Sequence, residues 1–311
     1  MHVGKGNATI DLRMIQKSCE ELAKRQNVYA DIVDKLSIQI EAALESELKF
    51  EDPTTSWHGT EKYLGFKQQI ERLGVIAEAF IEGEVPTSPS IQAVIEPGNE
   101  RETGSVSIIS THEQVLKGQV FQGCINPASS EYRDRIMEIG LKVGNFLKSH
   151  GVIGHFSVDF LATKRPDGEW NLNAVEVNLR QGGTTHPQAT MALLCGGCIC
   201  SDGLFRTNDN EVRTYVATDT HSCESLKGCS QRRFVNSIES KTNPLARRIC
   251  WDKRKRVGVV FHLFKFLESY GRIGFTTIGR DRQEADELFK QTVEFLDDLG
   301  KRFNDRRLQY L

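Results

Sequence analysis

The chain of 311 residues holds no apolar run long enough to cross a bilayer. Its first residues, MHVGKGNATIDLR, lack the apolar core of a signal peptide. Net charge is only −2, from 40 Lys and Arg against 42 Asp and Glu, so the balance calls for neither nucleic acid nor an anionic membrane as partner. The basic run from Lys253 to Arg256 has no interleaved aromatics and reads as a solvated approach to a strand. No Ser or Cys stands in a triad-like setting. Eight cysteines without a secretion signal read as reduced thiols and place the protein in the cytoplasm. In CGGCIC, a metal site on Cys195, Cys198 and Cys200 would need a further ligand such as Cys223 or Cys229. Two-ligand knuckles come in pairs with longer gaps, so small buried residues closing an apolar helix are expected there.

What is present is a composition of 39% hydrophobic and 26% charged residues, that of a globular protein of one large or two ordinary domains. The stretch from 152 to 187 carries the chemistry. Two strand-like runs flank Pro166-Asp167-Gly168, a strong hairpin signal. A two-residue turn at Asp167-Gly168, or a four-residue loop, sets Asp159 opposite Glu176, Ser157 opposite Asn178 and His155 opposite Arg180. Strand side chains alternate between faces, so these six share one face, while Phe156, Val158, Val175 and Val177 point into a core. Two carboxylates directly across a ladder repel, and need a cation between them or a raised pKa on one. Oxygen ligands suit Mg²⁺. The face runs on into Gln181 and Gly182-Gly183-Thr184-Thr185-His186-Pro187, glycines and hydroxyls at a strand end before a helix, which suits an anion-binding loop.

The sequence VDF, a short turn, then EVNLR resembles the metal-binding hairpin of ATP-grasp enzymes. The continuation GGTTHP is similar to the peptide-ligase branch related to the pheganomycin ligase, a module also found in IQ-motif-containing protein H. The resemblance covers most of the chain, including the ending GVVFHL…GRIGFTTIGRDRQEADELF. It implies that Glu176 and Asn178 bind Mg²⁺ bridging ATP phosphates, that Asp159 is a second metal ligand, and that Arg180 contacts phosphate or an acyl-phosphate. It makes Gly4, Lys5 and Gly6 part of a glycine-rich loop over the nucleotide phosphates. It makes 75–83, VIAEAFIEG, the hinge strand, with Glu78, Ala79, Phe80 and Ile81 lining the adenine pocket and Glu84 on the ribose. The family's preceding strand with its phosphate-binding lysine is missing, and the module is expected to be incomplete at its N-terminus. The implied activity is ATP-dependent ligation of a small-molecule carboxylate to an amine, an amino acid or peptide, with ATP and Mg²⁺. The rival reading is a catalytically impaired nucleotide-binding or scaffold module of a larger protein.

Along the rest of the chain, Ile32, Leu36, Ile40 and Leu44 predict a helix over 29–48, and a second is expected over 62–73. Residues 90–95 and 105–110 read as a hairpin, and 119–125 as a strand ending at Asn126-Pro127. Ser129 or Ser130 is expected to cap a helix to about His150, with Ile136, Ile139, Val143 and Leu147 as its stripe. A helix is expected from Pro187 to Leu194. Thr214 to Ala217 reads as a short strand, with Asp219 and His221 in a polar loop; 222–243 has no clear assignment. Strands are expected at 257–263, where His262 reads as a core histidine, and at 271–278. Asp281-x-x-Glu284 reads as a capping box. The expected fold is α+β, an ATP-grasp module incomplete at its N-terminus with a C-terminal α/β extension. Its divisions fall at 1–118, 119–205 and 206–311, the last packed on the rest.

Overall fold

The computed structural model describes residues 8–9, 13, 17, 29–47, 49–50, 60–79, 81, 83–98, 104–117, 120–240 and 243–308. They form two compact units, Met1–Phe80 with Lys117–Phe121, and Ile81–Leu116 with Gln122–Leu311.

In the first unit, β1 (Ala8–Thr9) pairs antiparallel with β2 (Lys49–Phe50). Helices Tyr29–Glu47 and Thr60–Leu73 lie close to where hydrophobic spacing set them. Leu36, Ile40 and Leu44 are half-buried and Ala43 is buried, so the stripe faces inward. Among the described residues of 75–83, where the hinge strand is expected, none lies in a strand. Residues 75–79 have no regular structure and Ile76 is 84% exposed. An apolar run becomes a strand only where a ladder takes its backbone, and here pairing begins at Glu84.

The second unit is built on one sheet. Its strands are β3 (Glu84–Thr87), β4 (Pro89–Ile95), β5 (Val106–Lys117), β6 (Val120–Asn126), β7 (Gly154–Lys164), β8 (Trp170–Asn178), β9 (Gly197–Ile199), β10 (Phe205–Thr207), β11 (Val212–Ser222), β12 (Gly258–His262) and β13 (Arg272–Gly279). The order is β12-β13-β11-β6-β5-β4-β7-β3, with β8 added on β7 and β9 and β10 attached through β11. Strands from either side of residue 205 therefore share one hydrogen-bonded sheet.

Two cores flank it. In the first, helix Arg133–Ser149 covers β4 and β7. Ile136 is fully buried, and Ile139, Val143 and Leu147 pack beside Ile91, Phe156, Val158 and Phe160. Each fully buried side chain of this kind is worth about 1.5–3 kcal/mol. Gly140 and Gly144, four apart on the inner face, let the helix approach closely; a Cβ at Gly144 would press on Val106 and Phe156. The helix begins later than expected. Ser129 spends its carbonyl on a turn to Tyr132 and Arg133, and Tyr132 is the residue before the first helical turn, without a side-chain cap bond. In the second core, helix Arg282–Leu308 lays Leu288, Phe295 and Leu296 on Phe275, Ile273 and Val259. Asp281 Oδ1 accepts from Glu284 N (2.8 Å), while Glu284 reaches back to Arg280 N (2.7 Å) rather than to the cap residue's own amide.

Several expectations change here. The strand around Thr214–Ala217 is eleven residues long, and Asp219 and His221 lie inside it at an irregularity, not in a loop. Its flanking neighbours β13 and β6 supply partners that its polar composition did not advertise. The unassigned stretch holds short helices Gln231–Ile238 and Pro244–Ile249, capped by Ser230 and Asn243. The basic run is a tight turn whose Lys255 and Arg256 carbonyls accept from the buried Arg213 guanidinium at 2.6 and 3.2 Å. Of the CGGCIC cysteines Cys195 is buried and Cys198 is exposed, while Cys223 and Cys229 lie in the second core. The seven described cysteines are free thiols. No helix among the described residues is long and apolar enough to cross a membrane.

Candidate active site

The β7–β8 hairpin sets Asp159 opposite Glu176 and Ser157 opposite Asn178. It reaches that register by a different route from the expected one. Arg165 N bonds Glu169 O and Gly168 N bonds Arg165 O, so the loop is the three residues Pro166–Gly168, with Gly168 at φ +85°. That loop pairs Phe160 with Ala174. An extra residue on β8 between Ala174 and Glu176 then shifts the ladder by one and brings the carboxylates together. His155 and Arg180 are not a ladder pair, because β8 ends at Asn178. Val175 and Val177 are each 46% exposed rather than in the core, since β8 is paired on one side alone among the described residues.

Asp159 is the centre of the polar face. Ser90 Oγ donates to its Oδ1 at 2.6 Å, and Asn178 Nδ2 lies 3.4 Å from Oδ2. Burial, foremost, holds the Asp159 carboxyl above its ordinary range, and Glu176 across the ladder pushes the same way; Ser90 and Arg180 pull it down. The expected raised member of the pair is thus Asp159, and burial outweighs repulsion as the cause. A half-buried carboxyl beside a second carboxylate is short of positive charge. Two carboxylates and an amide oxygen, the latter presented by turning over the Asn178 side chain, are hard donors that fit Mg²⁺. Among the described residues no three His, Cys, Asp or Glu side chains gather as a metal centre.

Gly182 to Thr185 closes on itself as the first turn of helix Thr185–Cys195, with Gly182 N bonded to Thr185 Oγ1 and Thr185 N to Gly182 O. The helix includes Thr185 and His186, two residues earlier than expected. Gln92 clamps the turn from β4: its Nε2 donates to Thr184 Oγ1 at 2.6 Å and its Oε1 accepts from Thr185 Oγ1 at 2.9 Å. Ser90 and Gln92 stand opposite Asp159 and Ser157 on β7, so β4 ties the carboxylates to the loop. His112 on β5 stands opposite Ser90. It is fully buried, both ring nitrogens lack partners, and burial pushes its pKa down to about 3, so it is neutral. Ser90, Gln92 and His112 were missed; the polar-apolar alternation in SIQA was the available signal.

Gly4, Lys5, Gly6 and Phe80 lie outside the described residues. Glu78 and Ala79 are exposed in the first unit. Ile81 and Glu84 belong to the second. Glu84 pairs with Lys164, five positions along β7 from Asp159, or about 17 Å.

Comparison with known proteins identifies the family to which this arrangement belongs. The family described as IQCH-like, ATP-grasp matches residues 4–198, more than half of the chain. The chain belongs to this ATP-grasp family, and its α+β architecture is an ATP-grasp fold with a C-terminal extension. The PGM1 C-terminal domain matches residues 249–292. The L-propargylglycine–L-glutamate ligase of Streptantibioticus cattleyicolor is 29% identical over 221 residues, covering 71% of this chain and 42% of that protein. The chain thus spans less than half the length of this curated relative. Among solved structures, N5-carboxyaminoimidazole ribonucleotide synthetase from Thermus thermophilus is 12% identical, with a TM-score of 0.44 over 75% of this chain and 57% of that one. The Staphylococcus aureus N5-carboxyaminoimidazole synthetase complexed with ADP is 16% identical, with a TM-score of 0.43 over 75% and 55%.

Proposed function

We propose that this chain is the nucleotide- and metal-binding part of an ATP-dependent carboxylate–amine ligase working through an acyl-phosphate. The observation that carries the reading is the hairpin register, which faces Asp159 with Glu176 and sets Asn178 beside them. A likeness to a ligase of two amino acids supports amino acid or peptide substrates and favours an enzyme over a scaffold. The divisions at 118/119 and 205/206 belong to this proposal, as do the roles of Gly4, Lys5, Gly6, Glu78, Ala79, Phe80, Ile81 and Glu84 around ATP.

The substrate carboxylate oxygen attacks the γ-phosphorus of ATP, the bond to the β-phosphate oxygen breaks, and ADP leaves. The amine nitrogen then attacks the carbonyl carbon, and the bond to the phosphate oxygen breaks. Bound Mg²⁺ would neutralise phosphate oxygens. Glu176, Asn178 and Asp159 would hold it, Ser90 fixes the Asp159 carboxyl, and Arg180 offers positive charge to phosphate or acyl-phosphate. For this chemistry, positioning and electrostatics supply most of the acceleration.

Thermal melting with and without Mg–ATP tests the reading. Wild type is expected to melt higher with ligand, because binding to the folded state alone stabilises it. Glu176→Gln is expected to lose most of that shift with no loss of apo stability, since it removes a like charge at constant shape. Asp159→Asn is expected to lose a smaller part. A full wild-type shift in Glu176→Gln would leave the hairpin as a structural face and remove the main support.

A further inference from the structure

A second cluster of titratable groups stands on the same unit, and the steps above do not use it. His262 ends β12 and pairs with Gly274 of β13. Phe275 packs in the second core with the helix Arg282–Leu308, and Thr277 Oγ1 bonds Ala285 O of that helix. By alternation Gly274 faces the other way. A Cβ there would overlap the His262 ring, so the glycine is what lets the imidazole lie across β13. Beyond β13, the β11 ladder is irregular between Thr218 and His221. Asp219 in that irregularity lies 2.9 Å from His262 Nε2 through its Oδ1. A carboxylate only accepts, so in the neutral ring Nε2 carries the hydrogen and Nδ1 keeps its lone pair. That Nδ1 is buried without a partner.

The ring of His186 lies 4.2 Å from that of His262, centroid to centroid, at 53°. His186 is exposed, and it follows Thr185, whose hydroxyl Gln92 holds. The cluster is therefore tied to the loop beside the carboxylates. Loss of water on its packed side, and then the neighbouring His262, hold the His186 pKa below its ordinary value, with Asp219 opposing. Among the described residues, Asp219 and His186 are the titratable groups shown in contact with His262, and Gly274 beneath it brings no charge.

We propose that His262, oriented by Asp219 and flanked by His186, accepts a proton from the incoming amine of the ligation, so that a substrate α-ammonium group enters beside these residues. This rests on the ligase reading. The α-amino group of a peptide has a pKa near 8 and that of a free amino acid a higher one, so at neutral pH only about a tenth of it or less is the neutral nucleophile. An imidazole nitrogen with a bare lone pair, held in place by a carboxylate, is a suitable acceptor. The ammonium gives one proton to His262 Nδ1. The neutral nitrogen forms the C–N bond, the C–O bond to phosphate breaks, and the second proton leaves with the phosphate. Asp219 is a positioning residue that fixes which ring nitrogen is bare.

Two measurements test this. Imidazole NMR of the apo chain is expected to show His262 protonated at Nε2 and bare at Nδ1, with Asp219→Asn losing that preference; the opposite tautomer in wild type overturns the proposal. The second uses Mg–ATP with the common L-amino acids as carboxylate donors. Product is captured either by hydroxylamine, which is already neutral and needs no base, or by a second amino acid. His262→Gln is expected to lower amide formation about 100-fold or more while hydroxamate formation holds. Asp219→Asn should lower it less and move its pH profile. Equal loss of both products, or no loss of either, overturns the proposal. Absence of hydroxamate from wild type overturns the ligase reading itself, and the amine role falls with it. Melting curves of both variants separate misfolding from lost chemistry.

Discussion

The carboxylate hairpin and the histidine cluster lie on one sheet but are assembled in opposite ways. Asp159 and Glu176 are 17 residues apart and meet because a short loop and one extra residue set their register. His186, Asp219 and His262 come from a helix start, a strand irregularity and a strand end, and meet only once the sheet has formed. The first tolerates change far away and is sensitive to chain length within the hairpin. The second depends on a single missing side chain, at Gly274.

The largest expected effect breaks the hairpin half of this contrast. Deleting Thr163 from β7 leaves the loop intact and shifts every pair from there to Asp159, which turns side chains to the wrong face. Unfolding free energy should fall by about 2 kcal/mol or more, with the Mg–ATP shift abolished. Deleting Val175 should instead regularise the ladder with Asp159 still facing Glu176, and should keep the shift. Denaturant titration and melting compare the two, and equal damage from both would refute the compensating-register account.

Gly274→Ala breaks the other half. The added methyl meets the His262 ring, and overpacking of this kind costs about 1–3 kcal/mol. The bond to Asp219 should be lost while the Mg–ATP shift survives. Loss of that shift would mean that the two clusters are not separable.

The smallest effect at neutral pH sharpens the comparison by separating a buried neutral histidine from the clustered pair. His112 has its pKa pushed down to about 3, from an ordinary 6.5. Between those values the unfolded chain takes up a proton that the folded chain refuses, so stability is lost as pH falls through this window. His112→Leu should flatten that acid limb and change little near pH 7. An acid limb unchanged in the variant would assign the loss to other groups.

The carboxylate pairing was legible because strand alternation is local. The expected loop was one residue wrong and no irregularity was foreseen, yet the two departures act in opposite directions and the Asp159–Glu176 pair stands. The exposure of Val175 and Val177 was not legible, since alternation says nothing of whether a strand has a neighbour on both sides. The stripe Ile136, Ile139, Val143, Leu147 was readable from its spacing, whereas the helix start at Arg133 was not, because two candidate serines precede it. The histidine cluster left almost no local sign. The Thr-Asp-Thr-His stretch looks like a loop, and only pairing with β6 and β13 makes it a strand. Apolar residues at 75–81 looked like a strand for the converse reason, with no described partner to make them one.

The irregularity at Val175 has a bearing on life in crowded solution. Among the described residues β8 has no partner on its outer edge, and it carries exposed Val175 and Val177. Such an edge is a template onto which other chains add. An extra residue interrupts the even spacing that a neighbouring strand would need, and Glu176 sets a charge in the same place. The feature that brings two carboxylates face to face also discourages this strand from recruiting a second molecule.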